Sequence, residues 1–228
     1  GQASFANGQR RGLRLDIAYA LVGDADVGHD DGKDFLVQAN WKPDKKTIFY
    51  LRMRKEVKTG NIPDQILPIS NQIMPVLDPV NVNTWRMNQT AEITRYNLRI
   101  HLGRVISRQV ECRFRLETVK VSAGQSESHG YMFFSDLFWT PRPDWLTFNT
   151  RLMFYETTDY SSRIYAFEND VMYYNIIPSF SGNGILSYLN TSVSLSKHAR
   201  FFAKGSIGRE KAVPSLSVSG RFQFIYSW

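Results

Sequence analysis

The chain closes on Ser217-Val218-Ser219-Gly220-Arg221-Phe222-Gln223-Phe224-Ile225-Tyr226-Ser227-Trp228. Val218, Phe222, Phe224, Tyr226 and Trp228 share one parity. Ser217, Ser219, Arg221, Gln223 and Ser227 share the other, and only Gly220 and Ile225 break the rule. Side chains of a strand point alternately to its two faces, so a period of two makes one face aromatic and the other polar. A soluble sandwich can hold one such strand. The fold therefore turns on whether the pattern repeats.

It does. Leu13, Leu15, Ile17, Tyr19 and Leu21 alternate with Arg14, Asp16, Ala18 and Ala20. Phe35, Val37, Ala39 and Trp41 alternate with Leu36, Gln38, Asn40 and Lys42, and Phe49, Leu51 and Met53 with Tyr50, Arg52 and Arg54. Tyr96, Leu98, Ile100 and Leu102 alternate with Arg95, Asn97, Arg99 and His101, and Val110, Cys112, Phe114 and Leu116 with Glu111, Arg113, Arg115 and Glu117. Leu146, Phe148, Leu152 and Phe154 face away from Thr147, Asn149 and Arg151, as do Ile185, Leu189, Val193 and Leu195 from Asn190, Ser192, Ser194 and Ser196. Helical periodicity is missing. Several patterns run about ten residues, the length of a tilted membrane-spanning strand. The final strand, closing on an aromatic residue, resembles the C-terminal signature of bacterial outer-membrane β-barrels.

Composition agrees with a barrel. No apolar run approaches the ~20 residues of a transmembrane helix. The mean hydropathy of −0.33 looks soluble, as alternating strands make it. Aromatic residues reach 14% of the chain, enough to furnish interfacial girdles. The lone Cys112 forms no internal disulfide and reads as a small apolar filler on the lipid side. The start Gly1-Gln2-Ala3-Ser4 shows no signal peptide and reads as a mature or truncated beginning.

The connections come in two sizes. Short ones are Pro43-Asp44-Lys45-Lys46, Val105-Ile106-Ser107-Arg108, Thr140-Pro141-Arg142-Pro143-Asp144 and Lys197-His198-Ala199. Longer ones cover 22–34, 56–90, 119–129 and 156–161. Short periplasmic turns and long outer loops are the barrel rule. Treating 163–176 as a single strand leaves an odd count and sends the C-terminus to the wrong side. Splitting it at Asn169-Asp170, a plausible two-residue turn, yields about twelve strands with both ends periplasmic. Trp41, Trp139, Trp145 and Trp228 then sit beside periplasmic turns or the periplasmic terminus, where a girdle is expected; Trp85 does not. The expected fold is an all-β antiparallel transmembrane barrel over 1–228, or the C-terminal part of a larger one, in the bacterial outer membrane. The soluble alternative is a sandwich or lipocalin-like barrel.

The face opposite the lipid carries Arg14, Lys42, Arg52, Arg54, Arg95, Arg99, Arg113, Arg115, Arg151, Arg200, Lys204 and Arg221. Its acids are Asp16, Glu111, Glu117 and Asp136. With a net charge of +7, two readings stand open. One is a porin-like lumen lined by Arg14, Arg52, Arg54, Arg95, Arg99, Arg113, Arg115, Arg151 and Arg221 that passes small anionic solutes. The other is a charged plug network in which the acids tie down the arginines and close the bore, leaving a non-conducting subunit of an export or uptake complex. Strand count does not decide between them, since twelve lies between filled and open barrels.

The remaining features are less specific. Loop 22–34 clusters carboxylates, but its spacing misses the helix-loop-helix calcium pattern, so a solvated acidic loop is expected and no metal or other cofactor. Loop 56–90 is rich in Ile, Leu and Pro, as a loop packed on the barrel or docked to an envelope partner would be. His29, His101, His129 and His198 are scattered, and no serine pairs convincingly with any of them, so no enzyme is expected. Outer-membrane lipid is the expected partner, and nucleic acid is not.

One stretch carries a resemblance. Phe154 to Tyr160, then Arg163-Ile164-Tyr165-Ala166-Phe167-Glu168-Asn169-Asp170-Val171-Met172-Tyr173-Tyr174, Pro178 and Gly182-Asn183-Gly184, resembles the C-terminal barrel of a Bacteroidota outer-membrane family. Its members often carry helix-hairpin-helix repeats, related to competence proteins, upstream. The resemblance covers roughly 145–228 and implies fold and location. It supplies no catalytic residue.

Overall fold

The computed structural model describes residues 2–4, 12–22, 32–61, 90–142, 144–174, 177–211 and 215–227. One antiparallel sheet follows chain order: β1 (Gln2–Ser4), β2 (Gly12–Val22), β3 (Gly32–Lys42), β4 (Thr47–Asn61), β5 (Thr90–Val105), β6 (Val110–Ala123), β7 (Ser126–Trp139), β8 (Leu146–Thr157), and then β11 (Asn183–Ser194), β12 (Ala199–Glu210) and β13 (Leu216–Tyr226). β9 (Ile164–Tyr165) and β10 (Ser179–Phe180) form a separate two-stranded ribbon. Among the described residues there is no helix, and β1 and β13 are unpaired edges, so the sheet stays open.

The alternation builds the strands and side-chain acceptors close the short turns. Asp44 accepts the Lys46 N–H at 2.6 Å and the Thr47 hydroxyl at 3.1 Å. The Lys46 amide, aided by Thr47, holds the Asp44 carboxyl below its usual range. Ser107 Oγ accepts from the N–H groups of Gln109 and Val110, and Ser196 Oγ from those of His198 and Ala199. Short polar side chains that hydrogen-bond the backbone just ahead are what such turns require.

The outer face is apolar and stays uncovered. Leu13, Val218, Phe222 and Phe224 are 60–75% exposed. A soluble sandwich would bury this face under a second sheet, and among the described residues only the small β9–β10 ribbon exists beside the main one. A continuous apolar band matches bilayer and is untenable in water.

Two sequence expectations are corrected here. The stretch 119–129 is not a loop. β6 runs to Ala123 and β7 starts at Ser126, joined by Gly124-Gln125 with Gly124 at φ 60°. A positive φ at the first central position is what a two-residue hairpin needs. Alternation persists there with its polarity inverted: Val119, Val121 and Ala123 point inward and are buried, while Thr118, Lys120 and Ser122 point outward. That inversion hid the strand.

Nor does 163–175 supply two strands to the wall. β8 pairs directly with β11, from Glu156↔Asn183 to Leu146↔Val193. The described residues of the intervening segment, 158–174 and 177–182, lie against the inner face instead. Its Ile164, Ala166 and Phe180 complete a core with Val119, Val121, Met132, Phe134, Met153 and Tyr155. Burying each large side chain of such a core stabilises by ~1.5–3 kcal/mol. Parity needs no split: removing the segment from the wall leaves ten long strands among the described residues, and the four short turns still share one side. Loops 22–34 and 56–90 are shorter than expected, since β2 reaches Val22, β3 begins at Gly32, and β4 and β5 extend to Asn61 and from Thr90. Residues 23–31 and 62–89 lie outside the described residues.

Gly130 marks where the segment touches the wall. A Cβ there would stand 2.4 Å from the Ser162 carbonyl oxygen. Gly130→Ala is expected to push the segment off β7 and lower stability by ~1–3 kcal/mol. Urea unfolding in detergent, with limited proteolysis to detect a loosened 158–182, reads this.

Candidate functional site

The site is the inner face and the segment held against it. At the outer end, Asp159 accepts hydrogen bonds from the Ser128 hydroxyl at 2.6 Å, the Ser161 N–H at 2.8 Å and the Ser162 N–H at 3.3 Å. Ser162 Oγ donates to the His129 carbonyl at 2.9 Å. From β5, Arg95 donates to the carbonyls of Ser161 and Arg163 at 3.0 and 2.6 Å. From β8, Arg151 donates to the Phe167 carbonyl at 2.6 Å. On β11, Tyr188 OH accepts the Asn169 N–H at 3.2 Å, and Asn190 Nδ2 donates to the Asp170 carbonyl at 3.0 Å. Lys204 of β12 reaches Glu168 at 2.9 Å and Asp170 at 2.8 Å, and Arg221 of β13 also pairs with Asp170. The wall supplies cations and the Ser128 hydroxyl; the segment supplies carbonyls and three carboxylates, Asp159, Glu168 and Asp170.

Asp159 lies in the outer loop and titrates below its usual range. Partial burial pushes its carboxyl up, but the Ser128 and Ser161 hydroxyls and the Ser161 and Ser162 amides together outweigh it. A carboxylate depressed in the folded state contributes stability above its unfolded pKa and loses it as pH falls through the folded value. The segment is therefore expected to stay docked at neutral pH and loosen in acid below about pH 3.8, the ordinary Asp value. Asp159→Ala should remove this pH dependence and expose 158–164 to hydrogen exchange at pH 7, with a local loss of ~1–3 kcal/mol.

The inner-face arginines do not form one free basic lining. Arg14 pairs with Asp16 at 2.8 Å, Arg54 with Asp34 at 2.7 Å, Arg99 with Glu117 at 2.7 Å and Arg113 with Glu111 at 2.6 Å. Arg151 and Asp136 make a buried two-bond pair at 2.6 and 2.7 Å, with the guanidinium 3.8 Å from the Phe134 ring centre. Three arginines of the expected lining have no carboxylate partner among the described residues: Arg95, which donates to two segment carbonyls, and Arg52 and Arg115. Arg52 meets the Gln38 amide at 2.8 Å and stands opposite Arg99. Arg115 stands opposite His101, over the Phe134 ring at 5.0 Å, with its Nε unpartnered. His101 stacks on Tyr50 with ring centres 4.7 Å apart.

Trp41, Trp139 and Trp145 are half-exposed at the short-turn end of the sheet. Trp41 meets Phe49 edge-on and Trp139 stacks on Phe148. Trp228 and Trp85 lie outside the described residues. The residues that sequence reasoning missed are Glu168, Asp170, Tyr188 and the inward amides of Asn149 and Asn190. Parity placed the asparagines inward, but Glu168 and Asp170 were lost to the assumed hairpin.

By sequence, no known family and no curated protein matches the chain. By structure, it is similar to a loop L8 deletion mutant of OmpT, an outer membrane protein of Vibrio cholerae, with TM-score 0.59 and 8% identity over 99% of this chain and 62% of that one. It is similar to in-vitro folded OmpT with TM-score 0.55 and 10% identity over 100% and 63%. The open form of the ferric-catecholate import receptor Fiu of E. coli K12 matches with TM-score 0.51 and 8% identity over 98% and 48%. The fold is an outer-membrane β-barrel fold. The outer-membrane location expected from the sequence stands with that fold. The chain spans 62–63% of the OmpT chains' length.

One expectation falls here. The chain was expected not to be an enzyme, because its histidines are scattered. The likeness to OmpT overturns that exclusion. A shared barrel leaves its chemistry open, since function lives in sites placed on folds.

Proposed function

We propose that the protein is a porin-like outer-membrane barrel that passes small anionic solutes through a lumen narrowed by segment 158–182. The observation that carries this is the pair Arg52 and Arg115, inner-face cations without a carboxylate partner among the described residues. The segment engages residues from β5 to β13, while Arg52 stands outside that span on β4. Fixed positive charge along a low-dielectric bore raises local anion concentration.

The test is single-channel recording in a planar bilayer under a salt gradient. Wild type should prefer anions, and Arg52→Glu with Arg115→Glu should abolish or reverse the preference. Equal permeability in wild type, or an unchanged preference in the variant, would sink the reading.

A second reading is favoured by the segment itself. Its hydrogen bonds to several strands are what a sealed, non-conducting subunit of an envelope complex needs, with residues 56–90 as the surface for another envelope protein. Absence of current together with a partner lost on deleting 62–79 would select it. The Bacteroidota resemblance fits either reading, and a DNA-uptake accessory rests on that analogy alone.

A further inference from the structure

A cavity of about 460 Å³ lies between the inward segment and the short-turn half of the wall. That volume falls within the ~300–1,000 Å³ of small-molecule sites. Asn149 and Asn190, directly opposite each other on β8 and β11, form its wall side. Asn149 is 7% exposed, yet neither its Oδ1 nor its Nδ2 has a partner. Asn190 uses its Nδ2 on the Asp170 carbonyl, leaving its Oδ1 buried and free. Phe138, Phe167 and Tyr173 supply aromatic surface. Tyr173 holds φ 66°, a strained setting for a non-glycine residue, with its side chain standing into the open.

Buried polar atoms are normally hydrogen-bonded, and each left unmade is costly. Here three free buried atoms belong to two residues that line one cavity: two acceptor oxygens and one amide nitrogen. Exchanging O and N of Asn149 leaves that tally unchanged. Two acceptor oxygens repel negative charge and call for a neutral ligand that donates. The one carboxylate lining the cavity, Asp170 of the segment, is already matched by Lys204 and Arg221, so nothing there draws a cation. Hydroxyl groups both donate and accept, and the C–H face of a sugar ring lies well on an aromatic side chain. We propose that this cavity is a binding site for a neutral saccharide, oriented by Asn149 and Asn190 and covered by the aromatic side chains. The site stands on its own geometry and does not require that the barrel conduct.

The test is isothermal titration of the full chain, folded in detergent micelles, with maltotriose and separately with inorganic phosphate. Maltotriose should bind at millimolar concentration and phosphate should not bind at this cavity. Asn149→Leu keeps the volume and removes both free atoms. It should weaken maltotriose binding roughly tenfold or more while leaving the unfolding midpoint unchanged or higher, because an unsatisfied amide is gone. Tyr173→Gly, which suits the positive φ and leaves the wall intact, should also weaken binding and carries the test if the leucine variant does not fold. No heat with maltotriose, or binding untouched by both substitutions, overturns the proposal; in that case the free amides hold only water.

Discussion

Arg151→Ala should cost ~3–5 kcal/mol of folding stability, the range for stranding one member of a buried ion pair. Both side chains are almost fully buried, at 3% and 4% exposure. Removing the guanidinium leaves the Asp136 carboxylate without its two hydrogen bonds and the Phe167 carbonyl without its donor. It also strips the cation from the face of Phe134. Asp136→Ala should lose a comparable amount by stranding the arginine. Arg151→Met combined with Asp136→Leu should be much milder, since replacing both charges by apolar groups of similar size avoids the uncompensated charge. Urea unfolding in detergent micelles measures all three. A double variant as unstable as either single would mean that packing around Phe134, and not charge pairing, sets the value.

Excising residues 159–181 should open the bore. β8 and β11 are already hydrogen-bonded neighbours up to Glu156↔Asn183, so a short Gly-containing turn can join them without disturbing the wall. The deletion removes Asp159, Glu168 and Asp170, and leaves Arg95, Lys204 and Arg221 without their present acceptors. Conductance should rise several-fold, with a stronger preference for anions. Stability should fall as well, because Val119, Met132 and Met153 lose the cover of Ile164, Ala166 and Phe180. Glu168→Gln with Asp170→Asn should shift selectivity in the same direction while keeping the core. A deletion variant that folds but conducts no more than wild type would show that the segment does not limit the path.

The strand wall was legible because a bilayer makes a simple demand. The lipid-facing set must be apolar at every second residue, as at Leu13, Leu15 and Ile17 or Phe222, Phe224 and Tyr226. Beyond the membrane the demand lapses, and there the reading failed. Val119, Val121 and Ala123 invert the code because water bathes the outer side and the inward segment covers the inner one. The arginines were also legible as a set facing inward. Their pairing was not: Arg99 meets Glu117 and Arg151 meets Asp136 across neighbouring strands, contacts set by register and not by sequence spacing.

Segment 158–182 is the sharpest case. Ile164-Tyr165 and Ser179-Phe180 form a ribbon, and local pattern could not say whether it joined the wall or lay against it. The wall has its hydrogen bonds complete between β8 and β11. The segment therefore has no edge to join, and its carbonyls and carboxylates turn to Arg95, Arg151, Lys204 and Arg221 instead. The closing strand that ends at Trp228 thus determined by itself an antiparallel membrane wall with an apolar outside, because alternation is a local consequence of backbone geometry. Which inward charges stay free, and what fills the lumen, was decided only by the tertiary structure, because both depend on residues far apart in sequence meeting across the bore.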